Sequence, residues 1–383
     1  MAARYVHVEV TTSQSSKKSG APCGDVFACR RDPAATVLAC VDGIGSGIRA
    51  RIAAEMCLSR LIELVELGFS LHRAVDRVAG TMREIREPGR PYAAFTIARI
   101  RTDGMATVLS YEAPPAILIS HRHAAPLPAR AEHMGGTLVN ESHCHLVPGE
   151  GLLLMSDGIT QAGLGSGLPS GWQTEGVARF VNDRLAEGVK LDALPDLIRR
   201  EAERLWRRGG DDCTVLLASC QPGQVVNILT GPPANRANDA RAVEQFLLAD
   251  GLKIVCGGTT AEVVARQLRV PLRVEQNPTS MIAPPRYEIP GVDLVTEGAV
   301  TLNQVYNIFD EDVHKLTEDS GVTELCALLH VADRVNLFVG AARNGATSDI
   351  SFRQRGILTR ERIVPLLAAK LESAGKLVVL QPV

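Results

Sequence analysis

The chain has 383 residues, 45% of them hydrophobic and 22% charged, the balance of a folded globular protein rather than a disordered one. At about 150 residues per domain this length reads as two domains. The 41 Lys and Arg residues against 43 Asp and Glu give a net charge of −2, which excludes the basic excess of a non-specific nucleic-acid binder.

In chain order, residues 5–10, 26–29 and 36–41 read as strands. Leu58, Leu61, Ile62 and Val65 then share one helical face, and Leu71, Ala74, Val78, Met82 and Ile85 share another. With Gly68 and Ser70 between them, the two predict a helical hairpin. Strands follow at 93–100, 106–112, 116–120 and 151–156, with Asp103-Gly104 as a hairpin turn. Helices are expected at 175–186 and 191–206, then a strand at 214–219. Short turns between successive strands predict antiparallel sheets with helix pairs outside.

Gln221-Pro222-Gly223-Gln224 is a polar Pro/Gly break and the expected domain boundary. Beyond it strands at 225–229, 253–256, 292–295, 335–339 and 377–380 alternate with helices at 239–248, 260–268, 302–309 and 359–371. Residues 277–290 read as a loop, and Pro365 should kink the last helix or delay its start. This alternation predicts a parallel or mixed sheet with helices on both faces.

The nine cysteines are scattered with no Cys-x-x-Cys pair, the pattern of reduced, mostly buried thiols in a cytoplasmic protein. The most apolar stretch, 325–342, is broken by His330, Asp333, Arg334 and Asn336, so no membrane span is expected. The N-terminus has no secretory apolar region.

Four acidic motifs lie at strand ends in the first domain: Gly24-Asp25; Asp42-Gly43-Ile44-Gly45-Ser46-Gly47; Ser156-Asp157-Gly158; and Asp211-Asp212-Cys213-Thr214. Any one alone reads as a turn. As an ordered set on strand ends they can converge on one point. Clustered carboxylates stay ionised together only around positive charge, and an all-oxygen set suits hard cations such as Mg²⁺ or Mn²⁺. Two such ions about 3.5–4 Å apart, sharing a carboxylate and a hydroxide, are the usual arrangement for phosphoester hydrolysis. Gly43 permits a sharp turn beside Asp42. Gly45 and Gly47 let the next helix start close by, its N-terminus favouring an anion.

These four motifs, in this order and with these flanks, resemble the PPM family of metal-dependent protein Ser/Thr phosphatases, in particular its bacterial SpoIIE-like branch. The resemblance covers residues 1–220. It implies an α+β fold, a four-layer αββα sandwich, followed here by an α/β domain at 224–383 for which no family is recognised. It implies two divalent ions, Mn²⁺ or Mg²⁺. Asp42 would bridge both, the Gly43 carbonyl and Asp25 would serve one, and Asp157 and Asp211 the other. Asp212 would support them from behind. Ile44 stands where many eukaryotic members carry a His proposed as general acid, which leaves metal-bound water as the default acid. The implied reaction is single-step, in-line attack by a metal-bridging hydroxide on phosphoserine or phosphothreonine of a signalling protein, for example a STAS-type anti-anti-sigma regulator. The rivals are a catalytically silent scaffold of the same fold and a small-molecule phosphatase.

Other motifs weigh less. Lys17-Lys18 precedes Gly24-Asp25, and Lys18 is the candidate contact for a substrate phosphate, against a solvated charge pair. His143-Cys144-His145 and His121-Arg122-His123 read as surface. In the second domain Thr230-Gly231-Pro232-Pro233 and Cys256-Gly257-Gly258-Thr259-Thr260 join strands to helices. There an anionic ligand or a protein partner could bind, while the plainer reading of the second loop is a Thr N-cap after a tight turn. Neither loop matches a dinucleotide fingerprint or a P-loop.

Overall fold

The computed structural model describes residues 5–17, 20–45, 47–86, 92–207, 210–275, 284–312, 316, 318–342 and 356–383. They divide into two compact units, Val6–Pro222 and a second made of Gly223–Val383 with Tyr5.

The first unit holds two antiparallel sheets. One has six strands in the order β2 (Val26–Arg31), β3 (Ala35–Ile44), β4 (Tyr92–Arg101), β5 (Met105–Tyr111), β9 (Thr137–His145), β8 (Arg130–Met134). The other has five, in the order β1 (Val6–Ser15), β11 (Cys213–Pro222), β10 (Gly151–Met155), β6 (Ile117–Ile119), β7 (Ala124–Pro126). Successive side chains on a strand face opposite ways, and the layers follow from that. On β3, Val37, Ala39 and Val41 pack under α1 (Ile48–Glu66) and α2 (Leu71–Glu84), whereas Leu38 and Cys40 enter the core between the sheets. On β10, Leu152 and Leu154 enter that same core, whereas Leu153 and Met155 face α4 (Gln173–Ala186) and α5 (Leu194–Trp206). The result is the expected αββα sandwich. Strands buried on both faces read as unbroken apolar runs, which is why β3, β4 and β10 stand out in the sequence.

β1 and β11 pair along their whole length, Val6 opposite Pro222 and Ser15 opposite Cys213. The first and last strands of the unit therefore close on each other. A fragment of residues 1–222 is expected to melt in one cooperative transition by circular dichroism. A fragment lacking β11 should not, because β1 and β10 lose the strand between them.

In the second unit seven strands form one mixed sheet. β16 (Leu294–Thr296), β13 (Leu252–Cys256), β12 (Val225–Thr230), β17 (Arg334–Val339) and β18 (Leu377–Pro382) run parallel in that order. β15 (Tyr287–Glu288) and β14 (Arg273–Val274) add an antiparallel edge beside β16. Helices α6 (Asp239–Leu248) and α7 (Gly258–Leu268) pack on one face. The other face carries α8 (Ala299–Ile308), α9 (Gly321–Val331) and a last helix, α10, over Arg360–Ser373. The strand order reverses direction between β12 and β17, the arrangement that opens a crevice at the carboxyl ends of the strands.

Some elements differ from the sequence expectation. α9 lies within an apolar run whose period is ambiguous, and a Ser320–Thr323 capping box starts it. β8 is a largely exposed edge strand, and β9, between it and β5, is only partly buried, both with little apolar alternation. Pro365 neither stops nor delays the last helix, which begins at Arg360 behind Thr359. Residues 277–283 of the expected loop lie outside the described residues, and Tyr287–Glu288 within the rest form β15. No helix among the described residues is long and apolar enough to cross a membrane.

Candidate active site

Both sheets of the first unit end in carboxylates. Asp42 lies near the end of β3, and Asp25 immediately precedes β2 on the neighbouring strand. From the other sheet, Asp157 opens the short helix α3 (Asp157–Thr160) after β10, and Asp211 and Asp212 precede β11. Residues distant in sequence thus meet because β2 pairs with β3 and β10 pairs with β11. The 156–158 turn is bound to its neighbour strand: Ser156 N donates to Thr214 O at 3.0 Å, and Thr214 N donates to Ser156 Oγ at 3.0 Å.

Asp25 is completely buried, and among the described residues no donor meets either carboxylate oxygen in full hydrogen-bond geometry, although the Ser156 and Thr214 hydroxyls lie close by. Burial raises its pKa, opposed by the hydroxyls of Ser156 and Thr214. Asp42 is raised more strongly, by burial first and then by the charges of Asp25 and Asp157. Asp157 is raised by burial, with Asp42 and Gln161 opposing the rise through hydrogen bonds. Gln161 Nε2 donates to Asp157 Oδ2 at 2.7 Å. Asp42 thus stands between two other acids. Ionised, none of the three can donate to another. A proton retained on Asp42 lets it donate, which is how a buried acid cluster without a counter-charge lowers its energy.

Asp211 and Asp212 are used differently. Asp211 Oδ1 meets Lys17 Nζ at 3.4 Å, with the lysine side chain 46% exposed. The Asp212 carboxylate accepts from the backbone N–H of Lys17 at 2.8 Å and of Gly24 at 2.9 Å, tying the segment that carries Asp25 to the start of β11. Among the described residues, no three His, Cys, Asp or Glu side chains are already spaced to hold one ion.

Close backbone approaches shape the site. A Cβ on Gly43 would overlap the Ala50 carbonyl in the first turn of α1, and one on Gly158 would overlap the Asp212 carbonyl. Gly47, at φ 68°, is the N-cap of α1 and has no side chain to cap it, so the first N–H groups of α1 stay open beside the end of β3. Gly43→Ala should destabilise the protein by about 1–3 kcal/mol, the usual cost of forcing atoms into a packed site. Urea titration followed by fluorescence would show it as a lowered midpoint with an unchanged slope.

Of the residues singled out in the sequence, Asp25, Asp42 and Asp157 form one acid cluster, with Asp211 beside Asp157. Lys18 lies outside the described residues. Lys17, the other lysine of the pair singled out in the sequence, is the one that meets Asp211. His143 bonds Glu141 at 2.9 Å and Thr107 at 3.2 Å, and His145 bonds the Asp103 carbonyl at 3.0 Å, so both imidazoles are engaged away from the acids.

Residues 32–221 match the family model described as Stage II sporulation protein E (SpoIIE). This part of the chain is a SpoIIE-like PPM phosphatase segment. Among solved structures, the chain is similar to the PP2C phosphatase domain and regulatory-domain fragment of SpoIIE from Bacillus subtilis. The identity is 20% and the TM-score 0.48, over 57% of this chain and 64% of that one. It is also similar to the RsbU and RsbW domains of a Mycobacterium tuberculosis protein, at 19% identity and a TM-score of 0.48, over 64% of this chain and 68% of the other. A third is RsbX in complex with magnesium, at 17% identity and a TM-score of 0.42, over 56% of this chain and 100% of that one. The chain thus spans less than two thirds of the Bacillus subtilis structure. No curated protein matches it.

Proposed function

We propose that the first unit is a divalent-metal-dependent phosphatase acting on phosphoserine or phosphothreonine of a signalling protein, such as a STAS-type regulator. The observation that carries this reading is the buried Asp25, whose oxygens meet no full hydrogen-bond donor among the described residues, beside two further acids whose pKa values burial raises. Such a group is missing positive charge, and its all-oxygen chemistry fits Mn²⁺ or Mg²⁺. Asp25, Asp42, Asp157 and Asp211 would hold two ions, with the Gly43 carbonyl assisting and Asp42 serving both. Bound there, the ions would supply the electrophilic charge and water activation that phosphoester hydrolysis requires.

The chain's own residues do the rest. Asp212 fixes the segment bearing Lys17 and Asp25. The half-exposed Lys17 ammonium can turn from Asp211 to an arriving phosphate, and the uncapped start of α1 favours the same anion. The second unit would act as a regulatory or partner-binding module. Hydrolysis of p-nitrophenyl phosphate by the purified chain is expected to need added Mn²⁺ or Mg²⁺ and to stop with EDTA. Activity surviving exhaustive chelation would overturn the metal reading. Faster release from a phosphoprotein than from a panel of phosphometabolites would support the substrate class, and the reverse order would overturn it.

A further inference from the structure

Where the core between the two sheets of the first unit gives way to the acid cluster, one uncharged polar side chain joins them. On β11, Leu216, Ala218 and Cys220 enter that core, and Thr214 shares their face of the strand. Gln14 of β1 lies directly opposite Thr214. Its Nε2 donates to Thr214 Oγ1 at 2.9 Å and to the Asp25 carbonyl at 3.2 Å, so one amide reaches from the five-stranded sheet to the segment that opens β2. Asp25 O is a carbonyl and can only accept, which sets the amide with its NH₂ group towards the site. Both protons of that group are then used, and Thr214 Oγ1 acts as an acceptor.

The consequence is directional. A hydroxyl has one proton. Because Thr214 Oγ1 takes an N–H from Gln14, its own proton is left for another acceptor. Ser156 is in the same state, since its Oγ takes the N–H of Thr214 at 3.0 Å. Among the described residues neither hydroxyl donates elsewhere, and both adjoin the carboxylate of Asp25. Neither contact has full hydrogen-bond geometry. Bonds to an ionised acceptor are shorter and stronger, so ionisation of Asp25 draws the two hydroxyls in. Fastening the backbone of Asp25 does not depend on Gln14. Gly24 N donates to Asp212 Oδ2 at 2.9 Å, and Arg51 Nη1 donates to Cys23 O at 2.9 Å and to Asp25 O at 3.3 Å. What Gln14 alone does, among the described residues, is bond the Thr214 hydroxyl oxygen.

We infer that Gln14 is a positioning residue for the metal site: it turns the Thr214 hydroxyl onto the Asp25 carboxylate, so that Asp25 meets a cation as an oriented anion. The inference rests on the phosphatase reading above, in which Asp25 serves one of two ions. Carboxylates that ligate metals are themselves held by hydrogen bonds, and loss of such a partner weakens the metal.

The test is Mn²⁺ titration of the full chain by calorimetry, after stripping with EDTA and dialysis, so that no turnover enters the readout. Gln14→Met keeps the length and loses the amide. It should weaken one Mn²⁺ site by about 10–100-fold, the usual effect of removing a partner of a metal ligand. Thr214→Val should do the same, whereas Thr214→Ser, which keeps the hydroxyl, should bind like wild type. The double variant separates orientation from a merely structural role. If Gln14 acts through Thr214, adding Gln14→Met to Thr214→Val costs nothing further. Thermal melts in EDTA would establish that each variant is folded. Gln14→Asn, whose amide falls one methylene short of both acceptors, takes the place of a Gln14→Met chain that is not. Either single loss-of-contact variant binding Mn²⁺ as tightly as wild type, or losses that multiply in the double variant, overturns the inference and leaves the metal reading standing. A wild-type chain that binds no Mn²⁺ overturns the metal reading itself, and the inference with it.

Discussion

Asp42→Ala is expected to lower Mn²⁺-dependent hydrolysis of p-nitrophenyl phosphate by about 10²–10³-fold, the range seen when one group that stabilises transition-state charge is removed. Asp42 stands between Asp25 on its own sheet and Asp157 on the other. Asp157→Ala and Asp211→Ala should follow in severity, each removing an acid from one side only. The same substitution should leave the metal-free melting temperature unchanged or higher, because it deletes a buried acid from a cluster that repels itself when ionised. A buried apolar truncation such as Leu61→Ala, at a fully buried position under β3, should do the opposite: about 2–5 kcal/mol less stability and activity lost only with the fold. Turnover near the wild-type value in Asp42→Ala would place the chemistry elsewhere.

The metal-free protein should be most stable in mild acid and lose stability as the solution becomes alkaline. Asp25, Asp42 and Asp157 all have folded pKa values above the ordinary carboxylate value of 3.8. At intermediate pH the folded chain therefore binds more protons than the unfolded one, and stability falls with rising pH. The contribution is complete below about pH 4. It is lost as pH climbs from there through the raised folded values, by about 1.4 kcal/mol per pH unit for each group that stays protonated only when folded. Melts in EDTA from pH 4.5 to 8.5 would trace it. Added Mn²⁺ should raise the melting temperature more at pH 8 than at pH 5.5, because the ion supplies at high pH the charge that protons supply at low pH. A flat metal-free profile would contradict the buried, self-repelling cluster.

Much of this architecture is legible in the sequence because its signals are local. β3 and β10 are apolar runs capped by Asp-Gly, and a buried strand ending in an acid is hard to mistake. Ser70 marks the start of α2 and accepts from Arg73 N. The first turns of α1 were harder to see: their buried residues are Ala50, Ala53 and Ala54, too small to mark an apolar stripe. What the sequence could not convey was pairing. That Lys17 meets Asp211, or that Asp212 holds Gly24, depends on β1 lying beside β11, a contact across some 200 residues with no local trace. The Thr260 hydroxyl, read as a cap, was misjudged for the same reason: it accepts from Gly231 N on another loop.

The pairing of β1 with β11 also sets an order of events on the ribosome. The six-stranded sheet is complete in sequence once His145 has emerged, and its strands join largely as a meander. β1, made first, has no partner until β11 is synthesised. Through that interval Asp25 and Asp42 can be held by a finished sheet while Asp211 and Asp212 of the opposite sheet have yet to be made. Synthesis supplies roughly 5–20 residues per second, so the half-built site persists for seconds, and its first strand stays exposed as an unpaired edge. In this unit a nascent chain stalled before Cys213 should be the form most open to chaperones and proteases.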